Sequence, residues 1–363
     1  MTTLAVEPFQ LPPRCVELAG RSEDALRGFL EDQRTAIVGP DPGASAAFDE
    51  LERVVWAGGK RLRPVFCCLG YLATGAEEDE RLFAAAAALE LLHTFALVHD
   101  DVMDRSPTRR GTPTTWIHLA ERHRREGWRG DPVAYGISAA VLVGDLAIAL
   151  ADQAFMRSGF ASDRLLPGAV RYHRMRTDMV AGQFLDVEAS QRTGISEAAA
   201  RRIAVLKSGA YTVEGPLQIG ASLAGSADGL LDALSRYGTA LGEAFQLRDD
   251  LLGSFGDPSV TGKDRDSDLR EGKRTVPVAL ALAAAPEADR RFLEERLGHA
   301  DLSDDEVERM RGIVERSGAV AATIGLVEDL SEEARRSAAE APVPPEVASL
   351  LVSMVDALAA RPM

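Results

Sequence analysis

From about residue 46 onward, apolar residues recur at three- and four-residue spacing within stretches rich in Ala, Leu and Glu. That period predicts helices over about 46–57, 63–74, 79–106, 133–158, 165–189, 196–223, 227–254, 275–284, 304–316, 320–338 and 345–359. An amphipathic stretch over about 22–38 precedes a break at "GPDPGAS", Gly39 to Ser45, which carries both proline and glycine. Strand evidence is poor, because β-branched residues are scattered among alanines and no alternating run is bounded by hairpin turns. The stretches over 79–106 and 133–254 are long and apolar on more than one face, the pattern of a central bundle wrapped by other helices. The expected fold class is therefore all-α, a single large helical bundle. Residues 1–20, proline-bearing and aperiodic, read as a flexible leader, leaving 21–363 as one domain with no repeat period or low-complexity linker to divide it. The run "ERHRREGWRG", Glu121 to Gly130, reads as a solvated loop or a lid.

Composition narrows the classes of function. The 363 residues include 41 Lys+Arg against 56 Asp+Glu, a formal net charge of -15, and the resulting field argues against nucleic acid as the main partner. Cys15, Cys67 and Cys68 are odd in number and lack C-x-x-C spacing, which fits a reduced, cytoplasmic setting. The N-terminus has neither a basic region nor a continuous apolar run of the signal-peptide kind. Glu90 and His93 interrupt the longest apolar run, and Asp145 and Asp152 break the next, so neither reaches the roughly 18–20 residues of an uninterrupted membrane span.

Against this acidic background one segment stands out, "HDDVMDRSPTRRG" over residues 99–111. On a helix Asp100 and Asp104 lie one turn apart on the same face, with Asp101 about 100° around from Asp100. Like charges so placed repel. A lone DDxxD is often no more than a solvated acidic helix end, but here "FALVHDD" carries the carboxylates straight out of an apolar helix. A second apolar helix, in "AFQLRDDLLGSFGD", ends on Asp249 and Asp250. Two such sets suit hard divalent cations, which take oxygen ligands and keep open positions for water and substrate phosphates. Basic residues accompany them: Lys60, Arg61 and Arg63 in "GGKRLRP", then Arg109 and Arg110, Lys207, Lys263 and Lys273. Fixed cations beside a metal site are what a phosphate-rich substrate needs.

In order and spacing, "GGKRLRP", "ELLHTFALVHDDVMDRSPTRRG", "VLVGDLA", "AGQFLDVEA", "KSGAYTVEGPLQIGASLAG" and "GEAFQLRDDLLGSFGDPSVTGKDRDSDLREGKRTVP" closely resemble the trans-isoprenyl diphosphate synthases. The resemblance implies an isoprenoid-synthase bundle with a central cavity and a Mg²⁺-dependent prenyltransferase joining isopentenyl diphosphate to allylic diphosphates of C5 to C15. It further implies that Asp100, Asp104 and Asp249 ligate three Mg²⁺ ions at the allylic diphosphate, with Asp101 and Asp250 in support. By the same resemblance Arg109, Lys207 and Lys263 hold that diphosphate, while Lys60, Arg63, His93 and Arg110 bind isopentenyl diphosphate without metal. Ser208 and Gln246 match polar groups beside the developing carbocation, and Gln183 and Asp186 line the cavity. A homodimer is implied too, and Arg361 is a candidate to close the isopentenyl site.

The chain departs from the family pattern at Gly253, where most relatives carry the third aspartate of the second motif. Asp257 could compensate if that helix continued. Product length is expected to follow from Ala96, four residues before Asp100, and from Phe95, five before, which lies about 7.5 Å deeper by helical rise. An aromatic at the fifth position upstream, with none at the fourth and no insertion in the motif, resembles geranylgeranyl diphosphate (C20) synthases; farnesyl diphosphate (C15) is the alternative. A class I terpene cyclase would lack the "GGKRLRP" and His93 site for a second diphosphate. A noncatalytic partner subunit would have lost an aspartate motif, and the first is intact.

Overall fold

The computed structural model describes residues 10–256, 267–299 and 301–359. Helices dominate: α1 (Pro13–Val38), α2 (Ser45–Val55), α3 (Leu62–Leu72), α4 (Glu80–Met103), α5 (Thr115–Arg125), α6 (Pro132–Met156), α7 (Ser162–Ser190), α8 (Glu197–Ala204), α9 (Gly215–Ala224) and α10 (Asp228–Phe255). Further helices follow: α11 (Ser267–Glu271), α12 (Val276–Ala284), α13 (Glu287–Arg296), α14 (Asp304–Arg316), α15 (Ala319–Glu340) and α16 (Pro345–Ala359). Between α8 and α9 the rod continues as a ten-residue π-helical segment, Val205–Glu214. The long elements α4, α6, α7, α10 and the α8–α9 rod form the central bundle, with α4 packed on α6, α7 on the rod, and α10 on the rod and α15.

The main core draws on nearly every element, with Phe48, Phe66, Phe83, Phe155, Tyr172 and Tyr237 all but inaccessible. Such side chains stabilise the fold by roughly 1.5–3 kcal/mol each. A second, smaller core joins Leu251 and Phe255 at the end of α10 to Leu269, Val278, Leu282, Met310 and Ile313. Where helices cross most closely, glycine makes the approach possible: a Cβ on Gly220 would lie 1.9 Å from the Cys67 carbonyl oxygen, and one on Gly70 2.0 Å from that of Leu217, so α3 and α9 meet backbone to backbone. Asp79 caps α4 by accepting from the Arg81 and Leu82 amides, and Ser303 with Glu306 forms a full capping box on α14.

Several expectations change. The leader read over residues 1–20 gives way to helix at Pro13, where Cys15 and Leu18 are fully buried. The first half of the basic run, 121–125, is the end of helix α5, which the charges concealed, with His123 buried behind Leu119 and Ala120, while 126–130 is an exposed turn. A two-stranded hairpin, β1 (Thr108–Arg109) and β2 (Thr112–Pro113), breaks the all-helical reading locally. By length and composition alone α4 and α6 are both apolar enough to span a membrane, although charged residues interrupt them. The apolar stretch of α4 is mostly core, whereas that of α6 is one-third buried.

Candidate active site

Along α4, residues 82–92 are buried except Ala84, and partial exposure returns at His93, Phe95, Ala96, Leu97, His99 and Asp100. This end of the helix therefore leaves the core and faces accessible space. Asp100 accepts from Lys207 Nζ (3.2 Å) and Gln183 Nε2 (3.1 Å), and Lys207 also donates to Asp186 (2.7 Å). Lys207 reaches this point because α7 touches the π segment at Gly182, where a Cβ would stand 2.4 Å from the Lys207 amide nitrogen. One turn on, Asp104 pairs with Lys273 Nζ (3.0 Å), which in turn lies 2.6 Å from Glu271. Burial pushes the Asp104 and Asp101 carboxyls up from the ordinary range, whereas neighbouring carboxylates hold both lysines fully charged and above theirs, against the effect of burial. For Asp100 the three nearby cations outweigh burial, and its carboxyl is lowered.

The hairpin explains how adjacent arginines can serve different places. Its two-residue turn is Arg110–Gly111, both with positive φ (52° and 73°), the type I′ geometry that matches strand twist. Arg109, on the strand, turns inward: Nε donates to Asp101 (2.8 Å) and a terminal nitrogen lies 3.5 Å from Asp100. Arg110, at the tip, instead carries its guanidinium to about 3.6 Å from where a Cβ on Gly59 would be. There it joins a second basic cluster. Arg63 donates to Thr212 Oγ1 (2.8 Å), stacks 3.9 Å from the Tyr211 ring centre, and keeps a buried Nε without a partner. The Tyr211 hydroxyl and His93 Nδ1 are 2.6 Å apart. Burial first, and neighbouring arginines after it, push His93 well below its usual value, so the ring is neutral; burial lowers Arg63 and Arg110 as well. Arg61, by contrast, is a clamp: it is buried with ion pairs to Glu23 and Glu90 and donates to the Val55 carbonyl. Lys60 is exposed, 5.9 Å from the Phe245 ring centre.

The second aspartate pair sits on α10, with Asp250 buried and Asp249 half-buried. Gln246 donates to Asp250 Oδ1 (2.7 Å). Back-to-back Gly209 and Gly242, each leaving under 3 Å for the other's Cβ, draw α10 against the π segment that carries Lys207 and Ser208. π-Helical turns are rare and frequent at functional sites, and this one widens the rod where Lys207, Ser208, Tyr211 and Thr212 project. α10 ends at Phe255, with Gly256 extended. Lys263, Asp257 and Arg361 lie outside the described residues.

The polyprenyl synthetase family model matches residues 46–314. A geranylgeranyl diphosphate synthase from Sulfolobus acidocaldarius is 34% identical over 72% of this chain and 74% of its own length. A geranylfarnesyl diphosphate synthase from Aeropyrum pernix is also 34% identical, over 74% of this chain and 79% of its own. The crystal structure of geranylgeranyl pyrophosphate synthase from Corynebacterium glutamicum, complexed with isoprenyl diphosphate and magnesium, superposes with a TM-score of 0.91 at 34% identity, covering 95% of this chain and 99% of that one. The chain belongs to the polyprenyl synthetase family. It is a chain-elongating trans-prenyltransferase with the isoprenoid synthase fold.

In this synthase Phe95 and His99 are edge-on, with ring centres 4.7 Å apart, and His99 is itself seated on α6: Nε2 lies 3.0 Å from the Val141 carbonyl oxygen, in space that a Cβ on Gly144 would fill. Ala96 packs against the main core. Residue types alone did not single out Tyr211, which touches both Arg63 and His93, nor the brace His99, nor Asp268 and Glu271 around Lys273. The signals were present within quoted motifs, in "KSGAYT" and "SDLREGK", but nothing in their spacing distinguished contact residues from packing ones.

Proposed function

We propose that this synthase condenses isopentenyl diphosphate with allylic diphosphates of C5 to C15 and ends at geranylgeranyl diphosphate, C20. The observation that carries the reading is the pairing of two unlike basic clusters beside the partly exposed end of α4, with a braced Phe95 five residues before Asp100. Mg²⁺ fits the allylic side, since Asp100 and Asp104 already hold cationic ammonium groups 3.2 Å and 3.0 Å away, oxygen-only ligand chemistry that a hard divalent ion would share. Asp100, Asp104 and Asp249 are the residues we assign to it, and three ions are expected. Bound there, the metal neutralises charge on the departing diphosphate.

The remaining steps belong to side chains. Lys207, Lys273 and Arg109 pair with carboxylates in the free enzyme and turn to the diphosphate as its carbon–oxygen bond breaks, stabilising charge that is larger in the transition state than in the substrate. Arg63, Arg110 and neutral His93 hold the diphosphate of isopentenyl diphosphate so that its double bond faces the allylic cation. Ser208 and Gln246, on the elements drawn together by Gly209 and Gly242, line the path between them. Loss of a proton to the released diphosphate then restores an alkene, and the apolar interior keeps water from quenching the cation. Phe95, held by His99, stops the growing chain.

Two further readings go with this one. The bundle leaves Val141 and Leu142 of α6 and Leu166, Val170, Val180 and Phe184 of α7 exposed, Val170 by 70%, an apolar face suited to a second copy of this chain. A cytoplasmic setting fits three buried, unpaired cysteines. The activity is tested by supplying purified protein and Mg²⁺ with labelled isopentenyl diphosphate and each of the C5, C10 and C15 allylic diphosphates, then dephosphorylating the products. Geranylgeraniol is the expected end point from all three. Farnesol would move the floor above Phe95, hydrocarbon from an allylic diphosphate alone would indicate a cyclase, and no elongation would leave a noncatalytic partner.

A further inference from the structure

Gly253 stands where the second aspartate motif ordinarily has its third carboxylate, and the structure shows what fills that place. It lies four residues after Asp249, on the same face of α10. A Cβ built on Gly253 would be 2.1 Å from Asp268 Oδ2 and 2.9 Å from its Cγ. No side chain can start there while Asp268 keeps its position, because the volume already holds a carboxylate. Glycine at 253 is thus a clearance for Asp268, and the site need not be one acid poorer.

We infer that Asp268 supplies, through space and from a different helix, the third carboxylate of the second metal-binding motif. The inference deepens the metal reading given above and rests on it. Three further observations support it. First, α11 is fixed against α10 by packing: Leu269, the next residue, is 1% exposed in the same core cluster as Leu251 and Phe255. Second, Asp268 is 8% exposed, yet among the described residues its carboxylate accepts no side-chain hydrogen bond, and its one ion pair is a loose 3.7 Å to Lys273. A buried carboxylate normally fills its acceptor positions, so this one has capacity left for a ligand. Third, the same Lys273 ammonium lies 3.0 Å from Asp104 Oδ2, so Asp268 is one cation away from the last aspartate of the first motif. Lys273 and Asp268 thus tie the Gly253 stretch of α10 to the first motif on α4. The role of Asp268 is to accept hydrogen bonds from metal-bound water or to bind the metal, either of which fixes the ion and raises its affinity.

The rival account makes Asp268 a structural anchor for Lys273 alone. Full-length protein is titrated with Mn²⁺, a spectroscopic stand-in for Mg²⁺, in the presence of inorganic pyrophosphate, and bound metal is read by electron paramagnetic resonance with thermal unfolding measured in parallel. Asp268→Asn, which keeps the shape and can still face Lys273, should weaken Mn²⁺ binding by about tenfold, the usual size for loss of a supporting carboxylate. Gly253→Asp, which restores the common motif, should also weaken binding, because the new side chain collides with Asp268. The exchange Gly253→Asp with Asp268→Gly should recover most of the affinity. Wild-type binding in the Asp268→Asn protein, or an exchange no better than the worse single change, would overturn the inference. Failure of the unmodified protein to take up Mn²⁺ with pyrophosphate would overturn the metal reading itself, a different result from either.

Discussion

Two basic clusters lie a few residues apart in sequence and are built on opposite principles. Around Asp100 and Asp104 each cation has a carboxylate partner: Lys207 with Asp100 and Asp186, Lys273 with Asp104 and Glu271, Arg109 with Asp101. Around His93, among the described residues, Arg63 and Arg110 make no ion pair, and Arg63 leans instead on a tyrosine ring and a threonine hydroxyl. The electrostatic consequences run in opposite directions, with Lys207 and Lys273 raised by their neighbours and Arg63, Arg110 and His93 lowered chiefly by burial. A cluster whose charges are already balanced binds an anion well only when more positive charge arrives. One with unbalanced, desolvated cations binds it directly. In the proposed function that difference gives divalent metal to one diphosphate and none to the other.

Breaking the balanced side should have the largest effect. Asp100→Ala removes the acceptor shared by Lys207 and Gln183, and condensation should fall by about 10³-fold or more, several kcal/mol of lost transition-state stabilisation. Steady-state rates with saturating substrates check this, and affinity for isopentenyl diphosphate should change little. On the other side, Arg63→Ala should raise KM for isopentenyl diphosphate by about 10²-fold, within the ~2–5 kcal/mol range for truncating a buried charged contact. Allylic affinity should be unaffected, and a parallel loss of both would erase the division between the clusters. Arg63→Lys should restore little of it, because an ammonium cannot both stack on Tyr211 and present a fork.

Changes outside both clusters sharpen the comparison by leaving it intact. Phe95→Ala should carry the product distribution past C20 while the first condensation keeps its rate to within about threefold, since the ring lies more than a helical turn below the chemistry. An unaltered distribution would remove Phe95 from the account of chain length. The smallest effect is expected from Tyr211→Phe, which leaves the ring under Arg63 and deletes only the hydroxyl beside His93. A rise of about three- to tenfold in KM for isopentenyl diphosphate follows from one hydrogen bond of ~0.5–1.5 kcal/mol.

Much of this was legible in the chain because helical period and motif chemistry are local properties. The bounds of α14 and α16 and the course of the long helices follow from spacing, and the separation of Asp100, Asp101 and Asp104 on α4 follows from helical geometry. What escaped depended on through-space contacts. The Arg109–Arg110 pair divides between two sites because a type I′ turn puts φ above zero at Arg110, a residue type that gives no turn signal of its own. Lys207 is distant in sequence from Asp100 and Lys273 from Asp104, as are Tyr211 and Arg63, joined only when the π segment meets α3. Gly253 looked like a missing ligand because a motif is read along one helix, and Asp268 approaches from another.

The division of the site is tested most directly by calorimetric titration of the purified protein with isopentenyl diphosphate and, separately, with a nonreactive thio analogue of an allylic diphosphate, each in Mg²⁺ and in excess chelator. Chelation should leave isopentenyl diphosphate affinity within about threefold and weaken the allylic analogue by about 10²-fold or more, because only the carboxylate-lined side needs added positive charge to hold an anion. Equal dependence of both ligands on metal would contradict the account.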